Sequence, residues 1–284
     1  MNISLIIPVH NRLELSKKCI YFLNNLIKND TISPEVNFNL VVVDDGSNDG
    51  TAEWITSNYS SIHLLKGDGN LWWSGSVNKG VRYAISVLNS DFVLLWNNDI
   101  VPSSDYFANL VSNVKENPNF ILGSLIIDSN TDKVWSKGGR FNVLTGKRSM
   151  FPERIAKGRF TYEWLTGMGT LIPVNIIERI GFWDNVNFPQ YHGDFDFTLR
   201  ANKSGYEIKV CKNLIIFNDT RYSSDKGFNF SSFINSLKGS NLRSRYNISK
   251  DILIYRKHCI GPLWIFSFIK KYLLYTYSTF FKSR

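Results

Sequence analysis

Cysteine is scarce in this chain of 284 residues, and Cys19, Cys211 and Cys259 are odd in number and far apart. That excludes a disulfide framework and metal-ligand spacing, and it makes a reducing cytosol the expected compartment. A membrane-spanning run is missing too. The longest uncharged apolar stretch of the tail, Cys259 to Ile269, would rise only about 16 Å as a helix against roughly 30 Å of hydrocarbon. The N-terminus has neither the basic region nor the long apolar region of a signal peptide. A GxGxxG fingerprint, internal repeats and low-complexity linkers are absent. Acid is nearly lacking from residues 226 to 284, which carry 11 Lys+Arg against the single Asp251, whereas residues 1 to 225 balance at 22 against 23. The net charge of +9 therefore belongs to the tail. Composition alone leaves nucleic acid and an anionic membrane surface both open as its partner.

What is present reads as a globular α/β chain with room for a sizeable core, since 43% of residues are apolar and 20% charged. Apolar strand-like runs at 3–9, 38–44, 62–65, 91–99 and 120–127 alternate with helical spacing at 13–28, 50–57, up to Leu88, and 103–117 with Ser103 or Ser104 as N-cap. Such alternation argues a mostly parallel sheet with helices on both faces. Residues 133–163 read as hairpins and loops, Trp164 to Pro173 as a glycine-lined strand, and Pro173 as the first turn of a helix to Ile180. Strands follow at 207–217, and 228–248 is expected to be helical.

Polar residues collect where strands end. Val41-Val42-Val43 suits a buried strand, broken by Asp44-Asp45-Gly46-Ser47, and ligands of open α/β sheets bind outside such carboxyl ends. By residue type the pair of acids is either a ligand reader or an Asx turn capping the next helix. Gly67 to Gly80, with Trp72 and Trp73, is a glycine-rich approach to a helix N-terminus, equally readable as a core plug. Asn97-Asn98-Asp99 supplies oxygen donors of the kind magnesium prefers, or simply a strand-ending turn. Asp194 opens a helix that runs toward Gly205, as an ordinary N-cap or as a carboxylate steadied by the helix dipole, with His192, Gly193 and Asp196 beside it. The tail from Ile252 alternates aromatic and apolar stretches with Arg256-Lys257 and Lys270-Lys271. It suits an interfacial segment whose lysines reach lipid head groups, or a helix packed on the body.

Taken together these motifs resemble the family 2 nucleotide-sugar glycosyltransferases with a GT-A fold, over roughly residues 1 to 225. Pro8-Val9-His10-Asn11-Arg12 is similar to that family's first-strand motif, and Val43 to Thr51 to its nucleotide motif. The resemblance implies an inverting hexosyl transfer with Asp194 as general base, Asp99 as ligand of Mg2+ or Mn2+, and Asp45 on the pyrimidine base. It draws the nucleotide-sugar site from Pro8, His10, Asn11, Arg12, Asp45, Gly46, Asn70, Trp73, Asn78 and Asn98, and the acceptor side from Trp72, Trp164, His192 and Asp196. Asn70-Leu71-Trp72-Trp73 is similar to a subgroup associated with rhamnosyl transfer in bacterial surface polysaccharides, which makes dTDP-L-rhamnose the first guess for the donor. Two positions depart from the family pattern: Asn97 replaces an acid in the metal triplet, and Gly193 stands where an acid usually accompanies the base.

The expected organisation is a GT-A domain at 1–225 followed by a basic, aromatic-rich helical region at 226–284. The expected acceptor is a saccharide, lipid-linked, met by a cytoplasmic enzyme held peripherally on the inner face of the membrane, with no nucleic-acid partner. The alternatives are a UDP-hexose donor, or a non-catalytic carbohydrate-binding module that uses Trp72, Trp73 and Trp164 as stacking platforms. A nucleotidyltransferase would need a glycine- and arginine-rich phosphate loop after the first strand, and residues 8–12 hold none.

Overall fold

In the computed structural model, residues 1–28, 34–151, 158–220, 230–239, 241–242, 244 and 246–281 are described. The first half follows the strand-helix rhythm: β1 (Asn2–Val9), α1 (Leu13–Ile27), β2 (Asn37–Asp44), α2 (Thr51–Asn58), β3 (His63–Lys66), α3 (Trp72–Ser86) and β4 (Phe92–Leu95). β5 (Ile100–Pro102), α4 (Tyr106–Glu116), β6 (Ile121–Asp128) and β7 (Val134–Ser136) come next. A small three-stranded sheet is built from β8 (Gly139–Asn142), β9 (Arg148–Met150) and β10 (Thr161–Trp164). The chain returns to the main sheet with β11 (Thr170–Pro173), α5 (Val174–Ile180), α6 (Gly193–Lys203) and β12 (Ile208–Asn218), then ends in α7 (Phe230–Leu237), α8 (Ile248–His258) and α9 (Trp264–Phe281).

The main sheet runs β3-β2-β1-β4-β11-β6-β12-β5, with β7 on β6. Its first four strands are parallel, in the register Asn2 to Asn37 through Val9 to Asp44. β11 is inserted antiparallel between β4 and β6, so the mostly parallel sheet is mixed at this point. Alternate residues of each strand feed opposite faces. Ile3, Leu5, Ile7, Val42 and Leu94 pack with α1, α2 and α4, while Ile6, Val41, Val93 and Leu95 pack with α3, α5 and α6.

Three local expectations are corrected. Asp105, not Ser103 or Ser104, is the N-cap of α4, and the Ser103 hydroxyl instead donates to the Asp105 carboxylate at 2.7 Å. Pro173 ends β11 and caps α5 rather than lying in its first turn. The 228–248 stretch is not one helix: α7 stops at Leu237, Gly239 turns at φ +72°, and α8 restarts behind Asn247, whose side chain accepts the Lys250 N–H. Residues 228, 229, 240, 243 and 245 of that expectation, and the boundary at 225, lie outside the described residues.

A third apolar cluster lies beneath the small sheet. Phe141, Val143, Trp164, Phe188, Phe195 and Leu199 share it with Ile254 and Tyr255 of α8, and Trp264 and Phe268 of α9 pack on its rim. α9 thereby turns one face inward, with Trp264 stacked on Tyr255 and Tyr275 stacked on Tyr246 at 3.7 Å.

Candidate active site

The two acids that end β2 do different work. Asp44 closes its own turn, its Oδ1 accepting the Ser47 N–H at 2.9 Å. Asp45, only 5% exposed, reaches into the glycine-rich loop: Oδ1 accepts the N–H groups of Gly69 (2.9 Å) and Leu71 (3.2 Å), and Oδ2 that of Trp72 (2.9 Å). This satisfies donors that α3 leaves free at its start. Close approach is possible because Gly67 has no side chain, as a Cβ there would lie 2.5 Å from Asp45 Oδ1.

The first-strand motif is fastened to the same turn. The Asp45 carbonyl accepts from His10 Nδ1 at 2.6 Å, so that nitrogen carries the proton and Nε2 is left to accept from Asn11 Nδ2 at 3.1 Å. Asn11, at φ 49°, donates its N–H to Ser47 Oγ and accepts the Asn48 N–H. Pro8, partly buried, is the last residue but one of β1, whereas Gly46 and Asn70 are exposed.

Beyond β4, Asp99 is partly buried and meets Arg12, whose Nη1 donates to Oδ2 at 3.1 Å. Burial lifts the Asp99 carboxyl above the usual carboxylate range, and the Arg12 charge pulls it back only in part. Asn97 Oδ1 accepts the Trp73 indole N–H at 3.2 Å. Among the described residues no group of three or more His, Cys, Asp or Glu could cage a metal ion. One partly buried carboxylate with amide oxygens nearby fits a magnesium or manganese ion that keeps water and shares a substrate's phosphates.

Trp73 links this corner to Asp194. Its ring lies against Gly167, where a Cβ would come within 2.4 Å, and the Gly167 N–H donates to Asp194 Oδ2 at 2.8 Å. Asp194 Oδ1 accepts the Phe195 N–H at 2.8 Å, placing the carboxylate on the opening turn of α6, where the helix dipole favours negative charge. A continuous set of contacts thus runs from Asp45 through Trp72 and Trp73 to Asn97, and through Gly167 to Asp194. Arg12 and Asp99 stand at the same edge of β1 and β4.

Five of the expected site residues lie mostly inside the protein, four of them with their polar groups paired there. Asn78 is buried and bridges α3 to the loop before α6, donating to the Trp183 carbonyl at 2.8 Å and accepting its N–H at 3.0 Å. Asn98 is buried and donates to Ser16 Oγ at 2.9 Å. Trp164 is part of the third apolar cluster. Asp196 is fully buried and paired with Arg200 (2.9 Å), His258 (2.8 Å) and Lys257 (2.8 Å). Burial opposes its charge, but those three partners override it and hold its carboxyl well below the usual range. His192 is mostly buried against Asp251, Nε2 to Oδ1 at 3.1 Å. Trp72 and Trp73 are half-buried. Asn97, counted in the sequence among the oxygen donors after β4, accepts from Trp73, and Gly167 joins the site although sequence reasoning gave it no role; the Gly167-Met168-Gly169 spacing was the available signal.

The sequence profile of glycosyl transferase family 2 matches residues 4–180. The low-salt glycan biosynthesis hexosyltransferase of Haloferax volcanii is 25% identical over 175 residues, covering 61% of this chain and 56% of that protein. A second protein of the same organism, glycosyltransferase AglE, is 23% identical over 226 residues, covering 75% and 65%. The chain therefore spans less than two thirds of the length of these curated relatives. Among solved structures, mannosyltransferase PcManGT from Pyrobaculum calidifontis in complex with GDP-Man and Mn2+ aligns with a TM-score of 0.58 at 14% identity, over 92% of this chain and 65% of that one. S. aureus TarS 1–349 in complex with UDP-GlcNAc aligns with a TM-score of 0.53 at 19% identity, over 82% and 61%. At these identities the likeness is one of fold.

Proposed function

The chain belongs to glycosyl transferase family 2 and has its GT-A fold, and from that premise we propose that it moves one sugar, with inversion, from a nucleoside-diphosphate donor to a saccharide acceptor. The observation that carries this reading is the run of contacts joining Asp45, Trp73, Asn97, Gly167 and Asp194 across the end of the sheet. The attacking hydroxyl of the acceptor loses its proton to Asp194 as its oxygen bonds to the anomeric carbon. On the opposite side the bond from that carbon to the diphosphate oxygen breaks, and the nucleoside diphosphate leaves. One carboxylate suffices, whereas retention would require a second, nucleophilic one.

Asp99 is the residue that would hold the divalent cation. A cation there supplies charge that offsets the leaving diphosphate. Arg12, already at 3.1 Å from Asp99, adds a fixed guanidinium on the same side. His10, Asn11 and Gly46 form the rim for the nucleotide, with Asp45 holding the loop of Asn70 and Trp73 in place.

The first donor to test is dTDP-L-rhamnose, on the Asn70-Leu71-Trp72-Trp73 segment. The alternative UDP-hexose donors join the panel, and the structural neighbours add UDP-GlcNAc and GDP-Man. The acceptor is a lipid-linked saccharide reached from the inner face of the membrane, a reading supported by the apolar outer side of α9 and its basic surroundings. Thermal-shift measurement of the full chain against this panel with Mg2+ or Mn2+, followed by a donor-consumption assay, tests the reading. The expected outcome is stabilisation that needs both nucleotide and metal, and a loss of about 100-fold or more in turnover for Asp194→Asn at unchanged nucleotide affinity. Asp99→Asn should abolish the metal requirement together with the activity.

A further inference from the structure

His192, the residue before α6, adopts φ 69° and ψ −9°, a left-handed conformation that a non-glycine side chain holds only when its surroundings dictate it. Its carbonyl accepts the Asp196 N–H at 2.7 Å and so starts the helix on which Asp194 sits two residues further on. What fixes the imidazole comes from the other end of the chain. Asp251, in the first turn of α8 and the only acid of residues 226–284, takes His192 Nε2 at 3.1 Å. Both side chains are more than nine-tenths buried, at 9% and 2% exposure.

Asp251 is itself held from α9, by Lys271 Nζ at 2.5 Å and the Tyr272 hydroxyl at 2.7 Å. Burial opposes the Asp251 charge, but the His192 hydrogen bond and Lys271 bring its carboxyl down to about 2. Burial also keeps the His192 imidazole below its ordinary value, so near neutral pH it is uncharged and Nε2–H donates to the carboxylate. One turn along α6, Asp196 is tied to His258 and Lys257 of the same α8. Asp194 therefore lies between two points anchored on the C-terminal helices.

We propose that Asp251 is a positioning residue for the transfer reaction: through His192 it fixes the turn from which Asp194 faces the acceptor. This rests on the reading of Asp194 as the base. Asp251 touches neither donor nor acceptor, so it acts on the chemical step and leaves nucleotide binding alone.

The test is steady-state donor consumption by the full-length protein, with UDP–Mn2+ and dTDP–Mn2+ affinities measured alongside, well below each variant's unfolding midpoint. Asp251→Asn is expected to lower kcat by about 100-fold, the cost of misplacing a reacting group by an ångström, with donor KM and nucleotide Kd within about twofold. Tyr275→Ala removes from α9 the ring stacked on Tyr246 and edge-on to Tyr272, while the Tyr272 hydroxyl, Asp251 and His192 keep their own groups. It should lower the unfolding midpoint while leaving kcat in place. Equal loss of kcat in both variants would reduce Asp251 to general tail stability, and a kcat for Asp251→Asn within about threefold of the parent would overturn the proposal outright. With Asp194→Asn inactive, either result leaves the base assignment standing. Turnover surviving in Asp194→Asn would remove that assignment and this proposal with it.

Discussion

At position 193 a side chain has no room. A Cβ there would stand 2.2 Å from Ser74 Oγ, and Ser74 is fully buried, its hydroxyl donating to the Phe188 carbonyl at 2.6 Å and its N–H to the Pro189 carbonyl at 2.8 Å. The acid that the family resemblance leads one to expect beside the base is therefore excluded by the seating of α3 against the loop before α6. Gly193→Ala should cost about 1–3 kcal/mol of stability, the usual penalty of overpacking. Adding Ser74→Ala, which removes the offending oxygen, should recover part of that loss, both read by urea unfolding. Residue types were legible in the sequence, but their partners were not. Asn78 looked like a ligand reader because its amide was visible and Trp183, 105 positions away, was not. The partner of Asp196 was hidden for the same reason, since His258 lies 62 positions downstream.

Among the elements, the strands and most helices of the first half were readable because each carries its own periodicity, and the acids at the ends of β2 and β4 marked the edge where the site forms. β11 was legible as a strand but not as an antiparallel one, because alternation reports burial and not the direction of a neighbour. The attachment of α6 to α8 was invisible for a related reason: a lone acid in a basic tail is a signal only once its partners are known.

That attachment makes the helical pair sensitive to acid. Burial holds the imidazoles of His192 and His258 below their ordinary value of 6.5, so the unfolded chain takes up protons first as pH falls through that value. Asp184, Asp196 and Asp251 lie below their ordinary 3.8, so their contribution is complete above that value and is lost on further acidification, for Asp251 until about 2. The thermal midpoint followed by circular dichroism should be level above about pH 7, decline below about 6.5 and fall more steeply below about 4. A midpoint that rises on acidification would contradict this arrangement.

At the scale of the molecule, the longest run of exposed apolar side chains among the described residues lies on α9 and the turn before it. Phe266, Leu273 and Leu274 are 73%, 65% and 57% exposed, and Ile260, Leu263, Ile265, Ile269 and Tyr277 extend the same outer side. None of the helices among the described residues is long and apolar enough to cross a membrane. Asp251, the only acid of residues 226–284, is already paired with Lys271, and Arg256 and Lys270 stand exposed beside it in sequence. A second copy would present the same positive charge to this side, whereas an anionic bilayer complements it, at about 1 kcal/mol for each basic residue near the surface. The full chain should float with phosphatidylglycerol-containing liposomes at moderate salt. The triple change Phe266→Ser, Leu273→Ser and Leu274→Ser should leave it in the soluble fraction, with nucleotide affinity retained. Composition had located the charge, but only the packing of Trp264, Phe268 and Tyr275 told which side of the helix remains uncovered.

The cluster that Ile254 and Tyr255 complete bears on how the protein can be handled. Cutting the gene at the start of the basic stretch would leave Phe141, Phe195 and their neighbours open to water, and such a fragment should precipitate instead of behaving as a minimal enzyme. Recovery in quantity calls for the uncut polypeptide, with a mild detergent to shield its last helix.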